Sequence, residues 1–160
     1  MSSNDLLGVY LNDHLAGSVA ALELVDQLFK LHGGANRDSY VRLHTEIEED
    51  QQTLRHLLAE LGEKESQVRK AAAWLTEKLG QAKLRFDDQG DGDLRVLEAL
   101  ETLGLGIQGK LSLWRALASV AARVPQLERL DLPRLQQRAI DQFERVDALR
   151  IQAARGALAP

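Results

Sequence analysis

Apolar residues recur every three or four positions along almost the whole chain, which is the spacing of amphipathic helices. The pattern predicts five helical segments, at roughly residues 5–32, 38–61, 65–86, 93–124 and 131–153. Glycines end the first two segments, at Gly33-Gly34 and at Gly62. Pro125 ends the fourth segment, and aspartates in N-cap positions begin three of the segments: Asp38, Asp93 and Asp131.

The composition agrees with helix throughout and limits the possible chemistry. Aromatic residues make up 4% of the chain and only 3 prolines occur, so strand-forming and helix-breaking residues are both scarce. A length of 160 residues fits one domain, covering residues 1–160. The chain has no cysteine, which excludes disulfides, thiolate metal sites and a thiol nucleophile, and agrees with a reducing cytoplasm.

Charge and hydropathy argue against two classes of partner. The chain has 20 basic and 24 acidic residues, with a formal net charge of -4. Because nucleic acids and anionic membranes are usually bound by a basic patch, neither is expected as a partner. The opening Met1-Ser-Ser-Asn-Asp5 has no basic leader, and no apolar run approaches ~18 residues. We therefore expect a soluble cytoplasmic protein.

The lengths of the connections predict how the segments pack. Short loops after the first and fourth segments predict two antiparallel hairpins, and the third segment is long enough to run back along the bundle between them. The expected fold is all-α, a four-helix bundle of two antiparallel hairpins with an additional crossover helix between helices two and four. The apolar stripe predicted for the fourth segment runs through Leu97, Leu100, Gly104, Ile107, Leu111, Trp114 and Ala118. Apolar residues also lie off this stripe, so the segment is apolar nearly all round: Leu103, Leu105, Leu113, Leu117 and Val120. Together with Trp74 and Lys78 on the crossover helix, this pattern predicts homodimerisation.

Two stretches of the first hairpin, together with the helix order, resemble ferritin-like bundle proteins, particularly small bacterial ones. The stretches are Tyr10-Leu-Asn-Asp-His-Leu-Ala-Gly17 and Glu46-Ile-Glu-Glu-Asp-Gln-Gln-Thr-Leu54. The resemblance covers most of the chain and implies a ferritin-like topology with parallel second and fourth helices. Di-iron members carry one Glu on each of two helices and Glu-x-x-His on each of the others. Here Glu-x-x-His does not occur, and all four histidines lie in the first hairpin: His14, His32, His44 and His56.

The missing ligands indicate a ferritin-like bundle that has lost its metal centre and is filled by its own side chains. Acidic pairs on three helices do not converge inward and are expected to be solvated: Glu46/Glu49, Glu98/Glu101 and Glu144/Asp147. We therefore expect a non-catalytic scaffold or interaction module without a cofactor. The alternative is a metal-binding or redox protein whose ligands are His14, Asp50 and second-helix glutamates such as Glu46.

Three polar side chains fall inside the predicted apolar stripes: His14, Asp50 and Arg150. Residues whose numbers sum to about 70 lie level in the first hairpin, and those that sum to about 254 lie level in the second. Asp50 is then level with Gly104, and we expect Arg150 to reach across that glycine to pair with Asp50. Alternatively, Arg150 extends to solvent and Asp50 bonds to Ser18 or water. His14 is expected to be a neutral core histidine, with metal ligation as the alternative.

Two motifs allow further interpretations. Gly104-Leu-Gly106-Ile-Gln-Gly109 matches the dinucleotide-binding fingerprint, but it lies within a predicted helix, so we expect it to allow close helix packing. Residues 87–98 resemble an EF-hand calcium loop, with Asp87, Asp91 and Glu98 as candidate ligands for weakly bound calcium. Gln89 and Arg95 depart from that pattern, and the alternative is an acidic turn that ends in a helix cap.

Overall fold

The computed structural model describes residues 3–62 and 92–159. They form four α-helices, which are α1 (Ser3–Glu60), α2 (Gly92–Val120), α3 (Pro125–Glu128) and α4 (Leu132–Leu158). A 3₁₀ turn, Ala121–Arg123, joins α2 to α3. No strand occurs in these two ranges, for which the predicted all-α class is confirmed. The predicted crossover helix, at residues 65–86, lies outside the described residues.

The first helix is bent back on itself, which corrects the prediction of two helices separated by a loop. The helical conformation of α1 is continuous over 58 residues and includes the Gly33-Gly34 pair. In a straight helix Ser18 and Gln51 would lie about 50 Å apart. In the structure Gln51 Nε2 donates a hydrogen bond to Ser18 Oγ at 3.0 Å, and His44 Nε2 lies 3.6 Å from Asp26 Oδ1. The residue numbers of these two pairs sum to about 70, which is the pairing predicted for the first hairpin. The chain therefore reverses direction without a loop.

The reversal falls between His32 and Tyr40, beside the glycine pair. Sharp bends in helices are commonly found at glycine, which has no side chain to obstruct them. Neither Gly33 nor Gly34 adopts a positive φ, and the prediction that this pair ends the first helix is wrong. The side chains on either side of the bend are joined, because His32 Nδ1 and Tyr40 Oη share a hydrogen bond of 2.9 Å. Asp38, predicted as an N-cap, lies within α1.

The other helix ends follow their local sequence. α1 ends at Glu60, and Gly62 has a φ of 75°, a conformation that glycine adopts readily. Pro125 lies in the first turn of α3, where its missing N–H removes no helical hydrogen bond. Asp131 caps α4 by accepting a hydrogen bond from the backbone N–H three residues later, at 3.1 Å. The predictions for Gly62 and Asp131 are confirmed, whereas Asp93 lies in the first turn of α2 and not at its N-cap.

α2 and α4 pack against each other in antiparallel order. Asp93 near the start of α2 lies beside Gly156 near the end of α4, at 3.0 Å from the position that a Cβ would take. Near the middle, the ring of Phe143 packs over Gly104 at 3.5 Å from the corresponding position. The predicted hairpin direction is therefore confirmed, with a register that differs from the predicted one by about one helical turn.

Four helical segments share one core: residues 3–32 of α1 (its first arm), residues 40–60 of α1 (its second arm), α2 and α4. The core consists of two apolar clusters. The cluster nearer the α1 bend includes Val25, Leu28, Tyr40, Leu43, Leu100, Leu103 and Val146. The other cluster includes Leu11, Leu15, Leu54, Leu58, Trp114, Leu117 and Ala139. In the second arm of α1, earlier residues lie in the cluster nearer the bend and later residues lie in the other cluster. The same order holds along α2, so these two segments run in the same direction.

Most apolar residues of α2 are buried by the rest of the chain. Leu103, Leu113 and Leu117 lie off the predicted stripe, and all three are buried in the core clusters. Leu105 is the contrasting residue, since 76% of it is exposed. The all-round hydrophobicity of α2 thus reflects mainly packing within the chain. Trp74 and Lys78 lie outside the described residues, and homodimerisation stays a prediction.

Candidate functional site

A layer of polar residues separates the two apolar clusters of the core. Its members come one from each helical segment: Ser18, Asp50, Lys110 and Gln142. Each occupies a core position in the three-to-four-residue apolar repeat of its segment. Lys110, for example, lies between Ile107 and Trp114, both of which are buried. The helical period therefore directs these polar side chains inward.

Asp50 is the centre of this polar layer, and its side chain is 2% exposed. Its Oδ2 accepts a hydrogen bond from Lys110 Nζ at 2.6 Å, and its Oδ1 accepts one from the guanidinium of Arg138. Gln142 completes the group: its Oε1 accepts from Lys110 Nζ, and its Nε2 donates to Asp50 Oδ2 at 3.4 Å. Both oxygens of the buried carboxylate are thus bonded to donors of the same chain, two of them cationic.

Glutamates on the second arm of α1 extend the network to the protein surface. Arg138 Nη1 lies 2.6 Å from Glu49 Oε2. Glu46 pairs with Arg42 at 2.7 Å and with Arg145 of α4 at 3.0 Å. Burial acts to raise the pKa of Glu46, but hydrogen bonds from Arg145 and Arg42 outweigh it and hold that pKa below its usual value. The second arm and α4 are therefore joined by a row of ion pairs.

Lys110 is a lysine held in the core, with a side chain that is 13% exposed. Burial lowers the pKa of its ammonium group, the nearby Asp50 carboxylate opposes that effect, and the charge of Arg138 adds to it. Two of the three ammonium protons have acceptors, on Asp50 and Gln142. Among the residues that the structure describes, the third proton has none.

A cavity of about 80 Å³ lies beside Lys110, on the side of the first α1 arm. Its walls are mostly apolar, and its polar lining comes from His14, Ser18, Asp50, Gln51 and Lys110. Ser18 Oγ donates to the carbonyl oxygen of Leu15 at 2.6 Å and accepts from Gln51 Nε2. The expectation that side chains fill the centre is therefore wrong at this point.

Arg150 does not join the polar layer, and the expected Asp50–Arg150 pair is wrong. The guanidinium of Arg150 bonds to Asp147 on the same helix at 2.8 Å and lies 3.8 Å from Glu101 on α2. The side chain is 31% exposed. The alternative, in which Arg150 extends toward solvent, describes its position better.

The error lies in the axial register between α1 and α2. Asp50 is level with Lys110, which is about 9 Å further along α2 than Gly104. The arginine at that level of α4 is Arg138. The ring of Phe143 packs against Gly104 and occupies the space through which Arg150 was expected to reach.

His14 is half-buried and lines the same cavity as Asp50. Its ring packs edge-on against Tyr10, with 4.7 Å between the ring centroids. Burial lowers the pKa of His14, with Asp13 opposing the effect, so the neutral imidazole is favoured at pH 7. Within residues 3–62 and 92–159, no three His, Cys, Asp or Glu side chains lie close enough together to hold a metal ion. The alternative ligand set of His14, Asp50 and Glu46 is therefore not assembled.

The two sequence motifs involve α2 and the residues before it. The glycine-rich motif at residues 104–109 lies inside α2, as predicted, and Gly104 allows the close approach of α4. Of the calcium candidates, Asp87 and Asp91 lie outside the described residues, and Glu98 is exposed on α2.

Sequence reasoning missed three members of the network: Lys110, Arg138 and Gln142. The signal for Lys110 was the apolar repeat that passes through Leu100, Leu103, Ile107, Trp114 and Leu117, because Lys110 fills the missing position in it. The predicted stripe runs through Gly104 and Leu111 instead, which places Lys110 on its flank. Gln142 occupies a core position of α4 in the same way, and Arg138 precedes it by one turn.

Comparison with protein-family models, with curated proteins and with solved structures gives no match to this chain. None of the helices in the described ranges combines the length and the hydropathy that a membrane span requires.

Proposed function

We propose that the protein is a non-catalytic helical scaffold or interaction module with a ferritin-like bundle, in which internal ion pairs replace a metal centre. The observation that carries this proposal is the bonding of Asp50. Its carboxylate, the acidic group of the polar layer, is already bonded to Lys110, Arg138 and Gln142. A metal ion would have to displace two cations from it.

Charge and geometry both support this proposal. A divalent ion beside Lys110 and Arg138 would meet repulsion from two positive charges in a region of low dielectric constant. Glu46, on the second arm of α1, is engaged by two arginines. The parallel run of the second α1 arm and α2 agrees with the topology that the resemblance implies. Homodimerisation and a cytoplasmic location belong to the proposal as predictions.

Metal analysis of the purified protein tests the proposal. The protein is produced in medium supplemented with iron, zinc and manganese, and its metal content is measured for the wild type and for His14→Ala. We expect far less than one ion per chain in both, with no heat in calorimetric titrations with zinc or iron that depends on His14. One ion per chain in the wild type, lost in His14→Ala or Asp50→Asn, would instead support the metal-binding alternative.

A further inference from the structure

The cavity beside Lys110 opens between two exposed glycines, Gly17 on the first α1 arm and Gly106 on α2. A Cβ atom added at either glycine would meet no other atom of the described residues within 4 Å. The opening is therefore wide because these two positions have no side chain. Larger residues at either position would narrow it without touching the ion pairs.

The cavity is apolar along its walls and polar at one end. The apolar walls are formed by Ala21, Ile47, Leu54, Ile107 and Leu113. At the polar end, Ser18 Oγ already donates one hydrogen bond and accepts another. Lys110 differs from it, because two of its ammonium protons are used and the third has no acceptor in the described part of the chain. Lys110 therefore offers a hydrogen-bond donor to a ligand in the cavity.

The charge balance indicates what kind of acceptor fits. Lys110 and Arg138 are positive, and their partners Asp50 and Glu49 are negative, so the group beside the cavity is already neutral. An anionic ligand would add an unbalanced charge to a buried site, which is costly. An uncharged oxygen acceptor adds none.

The volume limits the size of the ligand. A dry cavity of about 150 Å³ holds benzene, which has six heavy atoms, so one of about 80 Å³ holds roughly three or four heavy atoms. We propose that this cavity binds a small uncharged molecule with one oxygen acceptor and a short apolar body, such as a short-chain ketone or alcohol. Its oxygen accepts the third proton of Lys110 Nζ, and its carbon atoms contact the leucine and isoleucine walls.

Amide chemical shifts of the full chain, titrated with acetone and with 2-propanol, test this proposal. We expect saturable shifts confined to residues that line the cavity, with a dissociation constant on the order of 1 mM for a ligand of four heavy atoms. Gly106→Leu narrows the opening and should abolish the saturable shifts. Gly109→Leu is the matched control on the same helix, because Gly109 does not line the cavity and has open space around it; it should leave binding unchanged.

Lys110→Met removes the donor and should weaken binding about tenfold, the effect of one hydrogen bond from a charged group. If this variant does not fold, the two glycine variants still decide the question. Shifts that do not saturate, or that are equal in Gly106→Leu and Gly109→Leu, would overturn the proposal. Such a result would leave the metal analysis untouched, so the two proposals can fail separately.

Discussion

Asp50 of α1 and Lys110 of α2 form an ion pair of 2.6 Å between Oδ2 and Nζ, in the layer that divides the core into two apolar clusters. The pair lies where the second α1 arm, α2 and α4 meet, because Asp50 also bonds to Arg138 of α4. Removing two charges from water costs free energy that their attraction only partly recovers, so such a pair contributes little to net stability. Its best-attested role is to fix the register between helices. A slip of either helix would leave a buried charge without its partner.

The polar layer should be far more sensitive to mutation than the partly exposed ion pair that Arg150 forms. Asp50→Ala leaves Lys110 and Arg138 in the core without their carboxylate and should reduce the free energy of unfolding by about 3–5 kcal/mol. Arg150→Ala removes a partly exposed ion pair with Asp147 and should cost no more than about 1 kcal/mol. Urea unfolding followed by circular dichroism measures both. Equal losses in the two variants would contradict the central position of Asp50.

Tyr40 should make the protein less stable at alkaline pH. Burial raises the pKa of Tyr40 to about 12, from 10.0. Between these values the unfolded chain loses the phenolic proton first and the folded state binds more protons, so stability falls as the pH rises. The loss should reach about 2 kcal/mol by pH 12. Tyr40→Phe provides the comparison in thermal unfolding from pH 9 to 12, since its stability should fall less across this window. Parallel curves for the two proteins would rule the effect out.

Glu46 should contribute to stability at neutral pH and lose that contribution in acid. Its arginine partners hold its folded-state pKa below the usual 4.5, so the unfolded chain takes up the proton first as the pH falls. The contribution is complete above pH 4.5 and disappears as the pH falls through the folded-state pKa. We expect about 1 kcal/mol, lost in Glu46→Gln. The exposed Glu48→Gln serves as the control. The two variants should differ at pH 7 and converge in strong acid, and a constant difference would refute the prediction.

Gly34 within α1 and Gly62 just after its end should respond to alanine in opposite directions. Gly34 is exposed, helical and without a positive φ, so Gly34→Ala should raise stability by about 0.5–1 kcal/mol through its better helix propensity. Gly62 has a φ of 75°, and Gly62→Ala should lower stability by about 1–2 kcal/mol. Denaturant unfolding compares them. If Gly34→Ala is instead the more damaging, the bend requires a conformation that only glycine adopts readily.

The sequence was sufficient for features that depend on local periodicity and was insufficient for features that depend on axial register. Apolar spacing predicted the helical class of the described residues, the core position of Asp50 and the approximate register between the two arms of α1. It could not predict that α1 stays helical through Gly33, because glycine is common both at the ends of helices and at bends within them. The arginine that bonds to Asp50 was not predicted, because the predicted axial register between α1 and α2 is wrong by about 9 Å. That error places Arg150, and not Arg138, level with Asp50.

A double-mutant cycle on Asp50 and Lys110 tests the central claim most directly, namely that the buried carboxylate is satisfied by cations of its own chain. The free energy of unfolding is measured for the wild type, Asp50→Asn, Lys110→Met and the double variant. We predict that the free energy of unfolding of the double variant falls by at least about 1.5 kcal/mol less than the sum of the two single losses. Each single variant leaves the other member of the pair as a buried charge without its partner, whereas the double variant does not. Losses that add to within about 0.5 kcal/mol would mean that the two side chains do not interact, and would contradict the account.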